Sequence, residues 1–185
     1  MKKLLKTTMS VIVAGLVAFP LLAKSTGGTT RSCNCIPLEA QIRRELLTLS
    51  QYSLFDHLEF QINSGRVTLM GQTVRPTIKS SAERRVARLD GITGVDNRIE
   101  ILPVSFYDDH LRLRVARAVY RNPILMKYAM GARPRIHIVV KNGRVTLEGV
   151  VNQEAEKHIA VHAVNGAGGA FAVTDNLRVD TRKKN

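Results

Sequence analysis

The chain has 185 residues, and its 28 Lys and Arg against 15 Asp and Glu give a formal net charge of +13. This length allows one medium domain or two small ones. It contains no nucleophile elbow, no phosphate loop and no paired acid constellation, so we do not predict an enzyme.

The first 23 residues are typical of a secretory signal peptide. Lys2, Lys3 and Lys6 precede an apolar run that begins near Met9 and ends in small residues near Ala23. This run is too short to span a bilayer comfortably. We predict cleavage near Ala23 and a periplasmic protein of about 160 residues, with an uncleaved membrane anchor as the alternative. An exported basic protein seldom meets nucleic acid, so the expected polyanions are acidic phospholipids and other envelope polymers. The alternative is that the positive surface only keeps the protein soluble, and charge alone does not separate the two.

Residues 24–36 are predicted to form a flexible leader that contains Cys33 and Cys35. Thr, Arg and Ser precede Cys33 where a lipobox requires apolar and small residues, which argues against acylation. In an oxidising compartment the two cysteines could close a strained disulfide, pair between chains, or bind a soft metal. Two thiolates are an incomplete metal-ligand set, so we favour an oxidised or intermolecularly paired leader and predict no metal or cofactor.

An internal duplication organises the rest of the chain. GRVTLMG at residues 65–71 recurs as GRVTLEG at residues 143–149, an offset of 78 positions that still holds at Val95 and Val173. Chance rarely keeps one offset over so long a stretch. We therefore predict two domains and a basic tail, which are residues 37–103, residues 107–180 and residues 181–185.

Each copy has the pattern of helix, strand, strand, helix and strand. An apolar period of 3.6 residues precedes alternating strands at 58–62 and 136–140, and each strand meets a tight turn. A second helix follows the returning strand and is predicted to end at Gly91 or Gly169. We predict an α+β fold of two tandem αββαβ units, each a three-stranded sheet covered on one face by two helices, with the two units packed together.

Four repeated glycines are predicted to be architectural. Gly65 and Gly143 lie in the hairpin turns, where a positive φ is required. Gly71 and Gly149 lie in the returning strands, where a missing side chain allows close backbone approach.

The repeated motif resembles the BON domain, a family named after bacterial osmotically induced periplasmic proteins and nodulation proteins. A turn glycine, a basic residue and Val-x-Leu-x-Gly precede a glycine and a Val-x-Asn-x-Ile-x-Ile strand. The similarity is clearest in residues 62–73, 90–101 and 140–156. The second copy departs from the pattern at Ala170 and Phe171, and at Asp175, where Asn is expected.

The BON resemblance implies an αββαβ unit, an envelope location and frequently two copies behind an export signal. It implies no catalytic residues, so none can be assigned to this chain. Members of the family are associated with envelope integrity under osmotic stress and, in some cases, with binding acidic phospholipids.

The first helix of the second copy is the predicted membrane contact. Residues 107–180 carry eleven Lys and Arg against seven Asp and Glu, whereas residues 37–103 carry nine against eight. In the helix predicted at 109–121, an apolar stripe faces the sheet and the other side combines Leu113 and Tyr120 with arginines. The predicted lipid-binding residues are Arg112, Leu113, Arg114, Arg117, Tyr120, Arg121 and Lys127. The alternative is that this side packs on the other repeat and buries Leu113 and Tyr120.

His158 and His162 are spaced by one helical turn, with Glu154 one turn earlier. Three ligands on one stripe could bind zinc, but the sequence HIAVH is not a zincin motif and no motif supplies a further ligand. We favour a solvated stripe without a metal.

These patterns favour a non-enzymatic envelope protein that binds anionic phospholipid surfaces through its second repeat and supports envelope integrity or stress tolerance. The alternative is a periplasmic chaperone-like protein that holds unfolded or outer-membrane client polypeptides on an edge strand.

Overall fold

The computed structural model describes residues 36–130 and 134–180. The predicted signal peptide, Cys33 and Cys35, and the basic tail lie outside the described residues. Within the described ranges, no helix is both long enough and apolar enough to cross a membrane.

The first repeat consists of two helices on one face of a mixed sheet. Its elements are α1 (Leu38–Leu47), β1 (His57–Asn63), β2 (Arg66–Thr73), α2 (Pro76–Val86), β3 (Gly94–Asn97) and β4 (Glu100–Ile101). β1 and β2 form an antiparallel hairpin, and β3 and β4 pair with β2 in parallel. Ile42 and Leu46 of α1 and Ile78 of α2 pack on Val67 and Leu69 of β2.

The second repeat has the same order of elements around its own core. Its elements are α3 (Phe106–Arg121), a 3-10 turn (Met126–Tyr128), β5 (Ile136–Lys141), β6 (Arg144–Val151), α4 (Glu154–Ala167) and β7 (Ala172–Val179). β5 and β6 are antiparallel, and β7 is parallel to β6. The prediction of an α+β fold in two tandem αββαβ units is therefore confirmed.

Three element boundaries differ from the sequence prediction. The last strand of the first repeat is interrupted at Arg98 and Ile99, so that repeat has two short strands, β3 and β4, where one was predicted. α2 ends at Val86, five residues before Gly91. α3 begins three residues earlier than predicted because the Ser105 side chain accepts a hydrogen bond from the Asp108 amide at 3.3 Å and caps the helix.

The two hairpin turns require glycine. Gly65 has φ +81° and Gly143 has φ +72°, and the preceding Ser64 and Asn142 also have positive φ. Two successive positive φ angles define the type I′ turn, whose twist matches that of the flanking strands. A side chain at either glycine would therefore strain the backbone.

Gly71 and Gly149 lie where the two strands of each hairpin approach closely. A Cβ at Gly71 would lie 2.1 Å from the carbonyl oxygen of His57, and a Cβ at Gly149 would lie 2.1 Å from that of Arg135. No side chain fits without moving the neighbouring strand.

The two repeats contact each other through the segment that precedes β1. Leu54 and Phe55 of this segment pack against the core of the second repeat. The Leu54 carbonyl accepts a hydrogen bond from the Ile138 amide at 2.8 Å. Lys141 of β5 also forms an ion pair with Glu100 of β4.

Candidate functional site

The exposed side of α3 carries apolar residues as well as charged ones. At about 100° per residue, Phe106, His110, Leu113 and Arg117 follow one line along the helix. All four are exposed, with Phe106 at 85% and Leu113 at 49%. Large apolar side chains on the solvent side of a helix are not accounted for by packing within the chain.

Arg117 lies on this line, and Arg114 and Arg121 lie beside it. Arg114, Arg117 and Arg121 are exposed. Within the described part of the chain, the Arg117 and Arg121 guanidinium groups make no hydrogen bond or ion pair, and Arg114 donates to the Gly168 carbonyl at 3.2 Å. The α3 face, defined here as Phe106, Leu113 and these three arginines, therefore presents uncompensated positive charge beside apolar surface.

An aromatic pair extends the α3 face at its N-terminal end. The rings of Tyr107 and Phe171 stack with centroids 5.7 Å apart, and the Tyr107 hydroxyl donates to the Gly169 carbonyl. Phe171 is 76% exposed and the neighbouring Val104 is 95% exposed. The sequence analysis noted Phe171 only as a departure from the repeat motif, and Ser105 as a helix cap would have placed Phe106 and Tyr107 on α3.

Arg112 is not part of this face, so its prediction as an exposed membrane contact is wrong. It is 2% exposed, donates to the Val140 carbonyl at 2.7 Å and pairs with Asp109. On the helical wheel, position 112 lies about 20° from the core residue Val119, so the helix directs it inward.

Tyr120 and Lys127 are engaged by neighbours in the second repeat. Tyr120 is half-buried against that repeat's core and donates to the Ile136 carbonyl, and burial raises the pKa of its hydroxyl. The ion pair with the Glu156 carboxylate raises the pKa of Lys127. Leu113 is half-exposed and lines a groove of about 340 Å³ with Phe55 and Val74 of the first repeat, so α3 lies beside that repeat without burying Leu113.

Glu156 connects the 3-10 turn at Met126–Tyr128 to the start of α4. It is 4% exposed and accepts hydrogen bonds from Lys127, from the Tyr128 hydroxyl and from the backbone amides of Asn152 and Gln153. Burial raises the pKa of this carboxyl, but the hydrogen bonds outweigh burial and lower the pKa overall. Glu156 therefore has a structural role, since all of these hydrogen-bond donors belong to the second repeat itself.

His158 and His162 are both exposed on α4, and so is Glu154. Among the described residues there is no group of three or more His, Cys, Asp or Glu arranged to hold a metal ion.

The fold and the α3 face define a two-repeat α+β protein with an exposed basic and apolar surface. A family model for the BON domain matches residues 37–103 and again residues 108–181. The chain belongs to the BON domain family. BON domains are generally non-catalytic binding domains associated with phospholipid binding and with osmotic or envelope stress, and BON proteins are often periplasmic or envelope-associated.

Solved structures of CdsD, a structural protein of the type III secretion system of Chlamydia trachomatis, are similar to this chain. The CdsD C-terminal domain is 15% identical over 78% of this chain and 98% of its own, with a TM-score of 0.28. A second CdsD structure is 14% identical over 79% and 94%, with a TM-score of 0.27. Similarities at these TM-scores carry no argument about function. No curated protein matches the chain.

Proposed function

We propose that this protein is a non-enzymatic component of the periplasm that binds anionic phospholipid surfaces and supports envelope integrity or stress tolerance. The α3 face is the proposed contact. It retains Leu113, Arg114, Arg117 and Arg121 of the sequence prediction and adds Phe106, with Tyr120 and Lys127 at its edge.

One observation carries the proposal: the outer side of α3 combines exposed apolar side chains with arginines that have few or no partners in the fold. At an acidic bilayer, Phe106 and Leu113 would enter the boundary between headgroups and acyl chains while the guanidinium groups meet phosphates. Each cation near such a surface contributes on the order of 1 kcal/mol. Neither exposed apolar groups nor unpaired arginines are required by the packing of the repeat.

Flotation with phosphatidylglycerol vesicles tests the proposal. The double variant Arg117→Glu with Arg121→Glu reverses two exposed charges that have no hydrogen-bond or ion-pair partner within the described residues. We expect it to keep its fold and to lose flotation with these vesicles. Arg112→Glu is unsuitable because it would place a second carboxylate beside Asp109 at a buried position.

A matched control uses the first repeat. Arg44 and Arg88 are exposed, and their side chains make no hydrogen bond or ion pair within the described ranges. Arg44→Glu with Arg88→Glu changes the net charge by the same amount and should leave most of the binding intact. Equal losses in the two double variants would indicate non-specific attraction by net charge and would contradict a site on α3.

The second candidate function, holding of client polypeptides, is supported by a groove along β1. The groove has a volume of about 600 Å³ and is lined in part by Leu58, Phe60 and Ile62. β1 is an edge strand of its sheet, so an extended segment could pair with it. Suppression of client aggregation that persists at about 0.5 M salt would favour this function, because lipid attraction by arginines weakens with ionic strength.

A further inference from the structure

Two histidines meet where the repeats pack together. The ring of His57, at the start of β1, lies 5.9 Å from the ring of His137 on β5, measured between centroids. The ring of Tyr52 approaches His137 from the same side, at 5.5 Å. The first repeat thus places two side chains over a histidine that belongs to the sheet of the second repeat.

His137 is enclosed by this contact. It is 8% exposed, and its Nδ1 is buried without a hydrogen-bond partner in the described ranges. Burial and then the charge of His57 lower the pKa of His137 from 6.5 to about 4, although backbone hydrogen bonds to Ser53 and Asp56 oppose this shift. A charged imidazolium has two N–H donors, and here one of them would be buried without an acceptor.

Carboxylates and cations also surround the two histidines. Glu59 and Glu148 lie 3.4 Å and 3.8 Å from Nε2 of His57. Asp56, which is 1% exposed, accepts hydrogen bonds from Ser53, Thr73 and Val74. The remaining charged groups around the contact are paired: Arg178 with Glu59, and Lys141 with Glu100. The charge of a protonated His57 would lie next to the ring of His137.

We infer that the contact between His57 and His137 makes the packing of the two repeats sensitive to acid, and that protonation of His137 separates the repeats. The proton can be accommodated once the ring reaches water, which requires Tyr52 and His57 to move away from β5. No residue of the α3 face belongs to this contact, so the inference does not depend on lipid binding.

The direction of the effect follows from the two protonation states. The separated state binds the proton with an ordinary pKa of 6.5, whereas the packed state binds it only near pH 4. The packed state is therefore fully stable above pH 6.5 and loses stability as the pH falls from 6.5 towards 4. Over this range the equilibrium constant for separation rises by up to about tenfold per pH unit.

The amide of Ile138 reports directly on the contact. It follows His137 in sequence and donates to the Leu54 carbonyl of the first repeat at 2.8 Å. Leu102 is a matched reference, because its amide donates to Thr73 within the first repeat, also at 2.8 Å. Hydrogen exchange of the full chain, measured by NMR between pH 7 and pH 4 and expressed as protection factors, separates opening from the intrinsic pH dependence of exchange.

We expect the protection factor of Ile138 to fall by up to about tenfold per pH unit below pH 6.5 while that of Leu102 changes little. In His137→Gln the fall should disappear, whereas His57→Gln, which removes the neighbouring charge but leaves His137 in place, should show a smaller fall. A wild-type Ile138 protection that stays constant down to pH 4, or an equal fall in His137→Gln, overturns the inference.

A second measurement covers the case in which His137→Gln does not fold. The ring resonances of His137 in the wild-type chain can be titrated beside those of the exposed His158 and His162. His137 should titrate well below the two exposed histidines and together with the loss of Ile138 protection. Titration of His137 alongside them while Ile138 stays protected also overturns the inference.

Discussion

The two repeats share one backbone plan and differ in their first helices. α1 has 10 residues and follows Pro37 without a side-chain cap, whereas α3 has 16 residues and a Ser105 cap. Phe106 and Tyr107 are exposed and lie in the first turn of α3. The longer α3 therefore covers the core of the second repeat and also presents aromatic side chains at its N-terminal end.

Equivalent positions keep a structural role while the residue changes. Asn97 accepts a hydrogen bond from the Ile99 amide at 3.2 Å, and Asp175, 78 positions later, accepts one from the Leu177 amide at 3.0 Å. The departure from the motif at Asp175 therefore retains the acceptor. It also adds a charge, which Lys157 neutralises at 3.5 Å.

The repeats also satisfy one backbone amide in different ways. At the end of β2 the Val74 amide donates to Asp56, which lies before β1. At the equivalent place after β6 the Asn152 amide donates to Glu156, which lies on α4. In both repeats the amide that follows the second strand donates to a buried carboxylate, but the carboxylate comes from a different part of each repeat.

The largest effect is expected where the repeats are identical. Gly149→Ala should lower the free energy of unfolding by about 3 kcal/mol or more, since its Cβ would lie 2.1 Å from a carbonyl oxygen. Gly71→Ala faces the same distance and should cost a similar amount. Chemical denaturation of both variants checks this, and a tolerated alanine at either position would show that the close approach is not shared.

Removal of the Glu156 charge should rank second. Glu156→Gln is expected to cost about 2 kcal/mol at pH 7, because Lys127 and two amides lose a charged acceptor. Since the pKa of Glu156 is lowered from 4.5, its contribution is present above pH 4.5 and is lost as the pH falls further. Denaturation at pH 7 and pH 3 should show the gap between wild type and variant closing at the lower pH. A gap of constant size would contradict an ionised Glu156.

Asp56→Asn is the counterpart in the first repeat and should cost less than Glu156→Gln. Asp56 forms no ion pair within the described residues, so no cation is left without a partner. If Asp56→Asn lowers the free energy of unfolding as much as Glu156→Gln or more, the hydrogen bonds of the carboxylate matter more than its pairing with a cation.

Phe106→Ser separates binding from stability. Because Phe106 is 85% exposed, the melting temperature should hardly change. Affinity for phosphatidylglycerol vesicles should fall about tenfold, which corresponds to about 1.4 kcal/mol of lost apolar burial at the bilayer. Leu47→Ser, at the exposed end of α1, is the matched control and should leave affinity unchanged. If Phe106→Ser binds vesicles as tightly as the wild type, Phe106 does not belong to the lipid-binding site.

The smallest effect is expected at the turns. Gly143→Val should lower stability by about 1 kcal/mol or more, because valine at φ +72° is strained. Gly65→Val should also lower stability, but less, because a Cβ at position 143 would lie 2.5 Å from the Phe171 ring whereas one at position 65 would lie 3.1 Å from its nearest neighbour. Thermal unfolding compares the two, and an unchanged melting temperature in both would contradict the assignment of these turns.

The sequence alone determined the duplication, the order of elements and most of the two cores. Ile42 and Leu46 of α1 and Leu111, Val115 and Val119 of α3 are buried as their period predicts. These features depend on local spacing, since a 3.6-residue period, strand alternation and a turn glycine act within a few neighbouring residues. Local spacing failed for the last strand of the first copy. Its apolar and polar residues alternate without interruption, although the strand itself is broken at Arg98 and Ile99.

The tertiary structure decided which charged and aromatic side chains reach solvent and which meet each other. Arg112 and Arg114 are two positions apart in one helix, yet one is buried against β5 and the other is exposed. His57 and His137 are separated by 80 positions and meet only because the repeats pack together. The helical wheel already places Arg112 near the core, but its acceptor, the Val140 carbonyl, is known only from the fold. No local pattern encodes contacts between elements that are distant in sequence, because the shapes of both elements decide them.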